Sequence, residues 1–444
     1  MDLHAALRLH GRDAASFQAL EPGIAVFRAE EGLVAYADTR GAWVAVGSPL
    51  AAPEAIGALA ARFAGAARDA GRRAVFFACD DASVFPDTHP RVVIGEQPWW
   101  RAGDWPAVVA QNRSLREQLR RARKKGVTVR AVAASELRPG SPMRARIDAL
   151  ANAWLGSRPM QPMGFLLTLA MFEAPDDHRY YAAERDGALV AFASLVPIHG
   201  RGGWLVEDVV RDRAAPNGTT ELVFDHAMRE SPDDALVTWG LAPLAGAPWP
   251  MRAIGKLLRG LYDFRGLRAF KARLHPREWQ KVWMVIPPGG SRALAVIDSL
   301  RAFAGGSLVR FGVSTLVKRP LLLPWVLTLL LVPWTAALVA MMSIRRAAPL
   351  LGFPRVELVG WAAFDALFAV ALLRAFRRPR FSAYALLGAA AAIDAAVSCF
   401  HLAHAGLGAN AASALARTAS AVAPALAALG LFRCARAAWA AVSR

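Results

Sequence analysis

The sequence predicts an α/β protein with two similar strand-and-helix cycles, followed by an all-α bundle of transmembrane helices. Short apolar runs alternate with amphipathic segments up to about residue 290, which is typical of α/β domains. Four longer apolar stretches follow residue 319. A chain of 444 residues also exceeds the size at which one hydrophobic core stops growing, so at least two domains are expected.

The first cycle opens with three short apolar runs that are typical of strands. A helix, a fourth strand and a strongly basic helix then follow. In chain order the predicted elements are strands Ile24 to Phe27, Leu33 to Tyr36 and Trp43 to Val46, helix Pro53 to Ala70, strand Ala74 to Cys79 and the basic helix Val108 to Gly126. We assign this cycle to residues 1–130.

The second cycle repeats the mixture of strands and helices, and we assign it to residues 131–290. Its predicted elements are helix Met143 to Leu155, strands Tyr180 to Ala183, Leu189 to Val196 and Trp204 to Val210, helix Thr219 to Met228, and strands Leu236 to Leu241 and Val282 to Ile286. A linker at 291–319 contains a predicted helix, Arg292 to Phe303, between two Gly-Gly-Ser sequences.

Residues 320–444 form the predicted four-helix transmembrane region. The apolar stretches are Pro320 to Met342, Leu358 to Leu373, Phe381 to Leu402 and Ala411 to Phe432, each close to the ~20 residues that span a bilayer. If all four span, Lys318, Arg319, the cluster of Arg374 to Arg380 and the basic C-terminal tail share one side, whereas Arg345, Arg346 and Arg355 lie on the other. The positive-inside rule then places both termini in the cytoplasm. We expect a multi-pass protein of a bacterial-type inner membrane.

Composition narrows the class of protein. The net charge of +18 comes from both regions, with 42 basic against 32 acidic residues before Pro320 and eleven against three after it. This favours a polyanionic partner, either a nucleic acid or an anionic membrane surface. The three cysteines are far apart, so neither a disulfide framework nor a zinc site is expected. The sequence also lacks a dinucleotide fingerprint, a Walker motif and a recognisable Ser-His-Asp pattern.

The most reactive-looking segment runs from Asp208 to Glu221. Asp208 and Arg211 lie at the end of a predicted strand, just before a Pro-Asn-Gly turn. Asn217 of this turn can cap the next helix. The unpaired N–H groups of a helix N-terminus favour an anionic ligand, such as a phosphate or a carbonyl oxygen. An ordinary surface salt bridge beside a capped turn would give the same pattern.

The basic helix is the second candidate site. Arg113, Arg116, Arg120 and Lys124 are spaced three and four apart and so lie along one face, while Leu115, Leu119 and Ala122 line another. Such a stripe can follow a phosphate backbone, can contact anionic lipids, or can be a solvated face.

Five motifs in one order resemble the C-terminal catalytic domain of the phosphatidylglycerol lysyltransferases, the multiple peptide resistance factors. They are Asp208-x-x-Arg211, Ala215-Pro-Asn-Gly-Thr219, Glu221, Gly240-Leu-Ala-Pro-Leu244 and Phe264-Arg-Gly-Leu-Arg-Ala-Phe-Lys271. The resemblance extends to Arg113-Ser-Leu-Arg116 and covers roughly residues 20 to 290. It implies tandem GNAT-like subdomains and transfer of an aminoacyl group from aminoacyl-tRNA to a lipid headgroup such as that of phosphatidylglycerol, a reaction linked to antimicrobial peptide resistance.

The resemblance also implies roles for individual residues. Asp208, Arg211, Glu221 and Lys271 are the expected catalytic residues, with Asp208 holding the amino group or acting as a base. The expected substrate-binding residues are Asn217, Gly218, Arg268, Arg113, Arg116 and Arg120. The reaction needs alignment, a proton acceptor and oxyanion donors, so neither a metal nor a cofactor is expected. The expected partners are aminoacyl-tRNA, a membrane phospholipid and the lipid bilayer.

Two other classes of function stay open. A GNAT-like fold ordinarily uses an acyl-CoA donor, but the segment from Arg211 to Pro216 matches the glycine-rich pyrophosphate loop of such enzymes poorly. A non-catalytic membrane scaffold that senses lipids would need neither Asp208 nor Lys271.

Overall fold

The computed structural model of the protein describes residues 1–158, 163–249, 252, 263–343, 355–405 and 411–442. It divides into two compact units, Met1–Phe311 and Gly312–Arg444. The strands all lie in the first unit. They are β1 (Ala25–Ala29), β2 (Gly32–Asp38), β3 (Ala42–Val46), β4 (Leu50–Ala51), β5 (Arg73–Cys79), β6 (Arg91–Arg101), β7 (Thr128–Val132), β8 (Arg179–Arg185), β9 (Ala188–Ile198), β10 (Gly203–Arg211), β11 (Leu236–Thr238), β12 (Ala242–Pro243) and β13 (Glu278–Val285).

Eight helices of the described residues lie within the first unit. They are α1 (Leu3–His10), α2 (Ile56–Asp69), α3 (Trp105–Gln111), α4 (Arg113–Lys124), α5 (Pro142–Ser157), α6 (Thr219–Arg229), α7 (Phe264–Ala272) and α8 (Arg292–Phe303). Helix α9 (Leu308–Lys318) crosses the boundary between the units. Short 3₁₀ turns include Ser16–Leu20 and Pro175–Asp177.

The strands form one mixed sheet rather than two separate ones. Its order is β1-β2-β3-β5-β13-β6-β11-β10-β9-β8-β7, with β12 on β6 and β4 on β2. Strand β13 returns from the end of the α/β region to lie between β5 and β6. The late strand therefore joins the first cycle to the second, so the two cycles share backbone hydrogen bonds. The division at residue 130 stays a prediction.

Most predicted elements are confirmed within a few residues, including the helix at Arg292–Phe303. The sequence missed α1, α7, β7, the long central strand β6 and the two-residue strands β4 and β12. The predicted basic helix from Val108 to Gly126 is two helices, α3 and α4, because Asn112 between them has an extended backbone. Predicted strand Leu236 to Leu241 ends at Thr238, because the backbone then leaves the sheet. This early ending creates the opening described below.

Each face of the second half of the sheet carries its own helices. Helix α5 packs on β9 and β10, and its Ile147 and Leu150 meet Phe192 and Val210 in one apolar cluster. Helices α4 and α6 cover the opposite face, where Leu115 and Leu222 belong to a second cluster. We call these the α5 face and the α4/α6 face.

Helix α8, in the predicted linker, packs on the first half of the sheet. Its Asp298 side chain is fully buried and accepts two hydrogen bonds from Arg73 on β5, at 2.7 and 2.8 Å. Phe303 lies edge-on to Phe77 with ring centroids 5.3 Å apart. These contacts make α8 part of the first unit rather than a loose connection.

The second unit consists of long apolar helices. They are α10 (Leu323–Ser343), α11 (Arg355–Arg377), α12 (Phe381–Ala405) and α13 (Ala411–Val442). Four segments of the described residues are long and apolar enough to cross a membrane: Pro320–Ala340, Val359–Arg377, Phe381–His404 and Val422–Ala440. The fourth of these segments, Val422–Ala440, begins eleven residues after the start of the predicted stretch from Ala411 to Phe432. Arg345 and Arg346, used for the predicted topology, lie outside the described residues.

The buried ion pair under α8 gives a first prediction. Replacing Arg73 by alanine leaves the Asp298 carboxylate buried with a weaker partner, Arg301 at 3.5 Å. We expect the free energy of local unfolding of α8 to fall by about 3 kcal/mol, which is the lower end of the range for breaking a buried ion pair. Hydrogen exchange of the α8 amides in the full chain measures this loss.

The matched control is Arg72→Ala, which breaks the exposed pair with Asp38. That change should cost under about 1 kcal/mol. Equal losses in the two variants would contradict the assigned role of Asp298.

Candidate active site

The site is centred on a place where two parallel strands separate. Strands β10 and β11 pair in parallel from Gly203 with Leu236 to Leu205 with Thr238. Beyond that point β10 continues to Arg211, whereas residues 239–241 leave the sheet. The separation exposes one edge of β10 just where Asp208 lies.

Asp208 is buried beside this separation. Its residue is 7% exposed, and its Oδ2 atom is buried with no hydrogen-bond partner in the described structure. Burial raises the pKa of Asp208 well above the ordinary carboxyl value, and the nearby carboxyl groups of Glu207 and Glu21 raise it further. The side chain therefore holds a proton more readily than a surface aspartate does.

A β-bulge decides which way Asp208 points. The register of β10 against β9 shifts between Val206 and Asp208, so Glu207 is the extra residue. After the bulge, Val210 joins the cluster on the α5 face and Val209 packs toward the α4/α6 face. By strand alternation Asp208 lies on the α5 face and Arg211 on the α4/α6 face. The structure thus separates two residues that the sequence motif presents as a pair.

Arg211 folds back onto its own turn. Its Nη2 donates to the Ala215 carbonyl oxygen at 3.0 Å, while its buried Nε has no partner in the described structure. Glu221 lies half-buried in the first turn of α6. No ion pair joins Arg211 to Glu221 among the residues the structure describes, so the orienting role suggested for Glu221 stays a prediction.

The turn before α6 differs from its predicted capping. Asn217 is exposed, and the N-cap residue is Gly218, with no side-chain cap. The prediction that Asn217 caps α6 is therefore wrong. Gly218 has φ +92°, and a Cβ placed there would lie 2.2 Å from the Gln118 carbonyl oxygen of α4. Glycine is required because the backbones of α4 and α6 meet at this point.

Lys271 is buried on the other side of the strand separation. Its Nζ donates to the carbonyl oxygens of Trp239, Gly240 and Leu241, at 2.5, 2.9 and 2.9 Å. Burial lowers the pKa of Lys271 to about 7, although three carbonyl acceptors favour the charged form. Lys271 therefore holds the backbone that has left the sheet, and these three bonds use all the protons of its ammonium group.

Arg268, the other expected ligand from α7, lies at the surface. Its Nη2 pairs with Glu96 Oε2 at 3.1 Å, and its guanidinium lies over the Trp279 ring, 4.5 Å from the centroid. The contacts fix the side chain against β6 and β13. Its exposed edge is available to an anion, but the structure does not bring it together with Asp208.

The basic helix α4 matches its predicted pattern. Leu115, Leu119 and Ala122 are buried, and the basic stripe is exposed. Arg116 donates to the Val109 and Ala110 carbonyl oxygens at the end of α3, and Arg120 pairs with Glu117. The residues of the exposed stripe are Arg113, Arg116, Arg120 and Lys124.

Asp225 of α6 joins α6 to α4 through a buried ion pair. Its buried carboxylate accepts from Arg123 of α4 at 2.7 Å, from Trp105 Nε1 at 2.9 Å and from Arg229 at 3.0 Å. One buried acid thus holds Arg123, whose side chain stays about half exposed, while the stripe faces solvent. The sequence showed no sign of this role, because Asp225 is four residues past Glu221 on an ordinary amphipathic helix.

The α5 face also holds acidic residues that sequence reasoning missed. Glu21 is 6% exposed, and the side chains of Glu207 and His178 are 7% and 1% exposed. His178 Nε2 lies 3.8 Å from Glu207 Oε2. Glu21 comes from near the N-terminus, and the bulge at Glu207 brings Asp208 onto the same face as Glu207. Neither fact is visible in residue spacing.

The site does not resemble a metal centre. Within the described ranges, no group of three or more His, Cys, Asp or Glu side chains is arranged to hold a metal ion. The groups that can act here are carboxyls, guanidiniums and backbone amides, which suit charge recognition and proton transfer.

The close approach at Gly218 gives a second prediction. Gly218→Ala should lose roughly 2–3 kcal/mol of unfolding free energy, because backbone strain adds to a clash with α4. Denaturant unfolding of the full chain in detergent micelles measures this.

Gly187→Ala is the control, since Gly187 has φ +77° but open space around its Cβ position. It should lose only about 1 kcal/mol from strain. A loss at Gly218 no larger than that at Gly187 would show that α4 is not packed as described.

Glu21 gives a pH-dependent prediction. Burial, to which the nearby carboxyl group of Glu207 adds, raises the pKa of Glu21 from 4.5 to about 8. The folded state thus keeps a proton that the unfolded state loses above pH 4.5, so stability falls as the pH rises from about 5 to 8. Asp208 contributes with the same sign, and His178 also borders the group.

In Glu21→Gln this fall should be smaller, because glutamine has no proton to lose. Unfolding temperatures of the purified chain between pH 5 and 8 test it. Glu54 is exposed, so the Glu54→Gln variant should show the same fall in unfolding temperature with pH as the original protein. If Glu21→Gln showed that same fall, the raised pKa of Glu21 would be contradicted.

Comparison with known proteins places these features in a family. Residues 4–286 match the family described as phosphatidylglycerol lysyltransferase, C-terminal. A phosphatidylglycerol lysyltransferase of Bacillus subtilis (strain 168) is 30% identical over 148 residues, which are 30% of this chain and 17% of that protein. The chain therefore spans less than a fifth of this relative's length.

Two solved structures share the fold of the first unit. The C-terminal domain of a putative lysylphosphatidylglycerol synthetase from Agrobacterium fabrum aligns with a TM-score of 0.57 at 21% identity, over 69% of this chain and 99% of that one. The L-PGS structure from Bacillus licheniformis aligns with a TM-score of 0.58 at 19% identity, over 68% and 96%. They confirm the predicted GNAT-like α/β fold class, followed here by apolar helices. The family match across most of the α/β unit shows that the chain belongs to the phosphatidylglycerol lysyltransferase C-terminal family.

Proposed function

We propose that the protein is a membrane-anchored aminoacyltransferase that moves an aminoacyl group from aminoacyl-tRNA to a lipid headgroup such as that of phosphatidylglycerol. The observation that carries the proposal is the family match over residues 4–286. The buried Asp208 at the strand separation and the basic stripe of α4 support it, since they offer sites for an amino group and for phosphates.

The charge distribution supports a specific arrangement of the donor. Asp208 lies on the α5 face, whereas Arg211 and α4 lie on the α4/α6 face. An aminoacyl-tRNA carries a positive amino group next to a phosphate-rich strand. In this proposal the phosphates of its 3′ end face α4 and its amino group faces Asp208.

The chemistry is an exchange between two esters. A hydroxyl oxygen of the lipid glycerol attacks the aminoacyl carbonyl carbon, a new C–O bond forms, and the C–O bond to the tRNA ribose breaks. The lipid hydroxyl loses a proton and the ribose oxygen gains one. The protein's contribution is alignment, with Asp208 holding the α-amino group and polar hydrogens near the turn before α6 stabilising the oxyanion.

Anchoring supplies the lipid at high local concentration. The four apolar segments of the second unit are preceded by Lys318 and Arg319 and interrupted by the basic cluster from Arg374 to Arg380. By the positive-inside rule, these charges favour placement of the first unit in the cytoplasm. Aminoacyl-tRNA is found in the same compartment. Both substrates then meet at the inner leaflet.

Lipid analysis of whole cells tests the proposal. Expression should produce a new aminoacylated phospholipid by mass spectrometry, and Asp208→Asn should reduce it at least about a hundredfold, because the amino acid is no longer aligned. Asp186→Asn, whose side chain is 81% exposed, should leave the product unchanged.

Membrane extracts must contain equal amounts of each variant. An unchanged lipid profile under good expression would refute the proposed reaction. A full yield from Asp208→Asn would remove Asp208 from the site.

A further inference from the structure

Helix α8 exposes its large apolar side chains and buries its polar ones. Leu294, Ile297 and Leu300 are 41%, 38% and 44% exposed, whereas Asp298 and Ser299 are 0% and 4% exposed. A helix on the surface of a domain ordinarily has the opposite arrangement, with its apolar side against the core. A row of large apolar side chains left outside in this way indicates a surface that contacts something other than water.

The polar contacts on the inner side of α8 fix this orientation. The Asp298 carboxylate accepts the two hydrogen bonds from Arg73 described above, and Ser299 Oγ donates to the Ala295 carbonyl oxygen at 2.8 Å. Ala295 itself packs in the apolar cluster under the helix. A rotation of α8 that buried Leu294 would pull Asp298 away from Arg73, which is costly for a buried ion pair. The sheet therefore imposes the outward direction of the apolar side chains.

Helix α2 provides a comparison within the same unit. It packs against Ala45 and Phe76, whereas α8 shares its apolar cluster with Val44 and Val75. Because side chains alternate along a strand, the two helices lie on opposite faces of β3 and β5. The large apolar residues of α2 are all buried, and they are Ile56, Leu59 and Phe63. The inverted arrangement is therefore a property of α8 and not of this part of the sheet.

The exposed apolar residues of α8 form one continuous row. Ala293, Ile297 and Leu300 are spaced four and three apart, so they follow one side of the helix, and Leu294 lies next to them. An arginine stands near each end of the row, and both arginine side chains reach solvent. We call this set the α8 surface, and its members are Arg292, Ala293, Leu294, Ile297, Leu300 and Arg301.

The charge around the α8 surface favours a lipid occupant over a second copy of the chain. Residues 287–319 contain five basic residues and one acidic residue, and that acidic residue is the buried Asp298. A two-fold interface pairs a surface with itself, so a second copy would place arginines against arginines. An anionic bilayer offers phosphates to Arg292 and Arg301 and an apolar boundary to the leucine and isoleucine side chains.

The position of α8 along the chain favours the same occupant. The helix ends at Phe303, and the first segment apolar enough to cross a membrane begins at Pro320. Leu308 and Val309, which start α9, are exposed as well. So short a connection keeps the α8 surface near any bilayer that the apolar segments enter, which raises its effective concentration at the lipid.

We propose that the α8 surface lies in the headgroup region of an anionic bilayer and gives the first unit a membrane contact of its own. Leu294, Ile297 and Leu300 enter the boundary with the acyl chains, and Arg292 and Arg301 bind lipid phosphates. The apolar segments of the second unit attach the chain to the membrane, whereas this contact sets the orientation of the α/β unit on it. The α8 surface lies outside residues 4–286, which carry the family match, and its binding to lipid does not depend on the proposed transfer.

Fluorescence quenching by labelled lipids tests the contact in the full chain. A fluorophore is attached to Ile297→Cys, or to Ala61→Cys on the exposed side of α2 as the control, in a Cys399→Ser background that leaves the buried thiols of Cys79 and Cys434. The vesicles contain phosphatidylcholine, phosphatidylserine and a lipid with a nitroxide near its headgroup. The label at position 297 should be quenched at least about threefold more than the label at position 61.

Charged substitutions within the row provide a second measurement. Leu294→Glu combined with Leu300→Glu should reduce the quenching at position 297 to the control value, because carboxylates are repelled by anionic lipid. Both side chains are exposed, so the fold is retained, which circular dichroism verifies. Vesicles without phosphatidylserine should lower the quenching at least about twofold.

Three results would overturn the inference. The first is equal quenching at positions 297 and 61, and the second is quenching at position 297 that does not depend on phosphatidylserine. The third is a label at position 297 that is protected from aqueous iodide without lipid quenching, and only at high protein concentration, which would assign the α8 surface to a second copy. Phosphatidylserine has no glycerol headgroup, so these results are independent of whether the protein transfers an aminoacyl group.

Discussion

The separation of β10 from β11 is the constraint on which the site depends. Two paired strands satisfy each other's backbone groups, so strands that part must find other partners for those groups. Here Lys271 donates to three successive carbonyl oxygens of residues 239–241, which have left the sheet. One buried ammonium group thus replaces part of a strand. The opening that remains gives Asp208 an environment that a continuous sheet would fill with backbone.

The same opening lies between two surfaces of opposite character. On the α4/α6 face, the buried Asp225 pairs with Arg123, and the α4 stripe faces solvent. On the α5 face, carboxyls are buried between apolar clusters, and among the described residues neither Glu21 nor Asp208 has a lysine or arginine ion-pair partner. A substrate with phosphates at one end and an amino group at the other would find complementary charge on both sides. The bulge at Glu207 sets the direction of the β10 side chains after it, and so places Asp208 on the α5 face and Arg211 on the α4/α6 face.

The regular elements were largely predictable from the sequence, and the site was only partly so. Hydrophobic periodicity located β10 and α6, and the motif residues Asp208 and Lys271 are indeed buried on either side of the separation. Strand β6 was missed because Gln97 and Pro98 interrupt its apolar pattern. The sheet accommodates Pro98 opposite Trp279, and its carbonyl oxygen accepts the Thr238 hydroxyl. Pairings of this kind join distant segments, and periodicity within one segment carries no information about them.

The side-chain directions were the least predictable part. Spacing suggested that Asp208 and Arg211 act together, but strand alternation after the bulge sends them to opposite faces. Asn217 suggested a helix cap, but close packing of α6 on α4 requires Gly218 at that position instead. Glu21 could not be connected with Asp208 at all, because nearly the whole sheet separates them along the chain. In each case a tertiary contact overrides a correct local pattern.

The linker helix α8 contacts residues 163–172, which lie beside the buried Glu21. The Gly164 amide donates to the Phe303 carbonyl oxygen at 3.0 Å, and the Phe165 ring lies edge-on to that of Phe303 at 5.4 Å. Phe303 ends α8, which the Asp298 pair with Arg73 fixes to the sheet. Residues 163–172 are therefore held at the end of α8, which the ion pair on β5 fixes within the first unit. A displacement of α8 would move this segment with it.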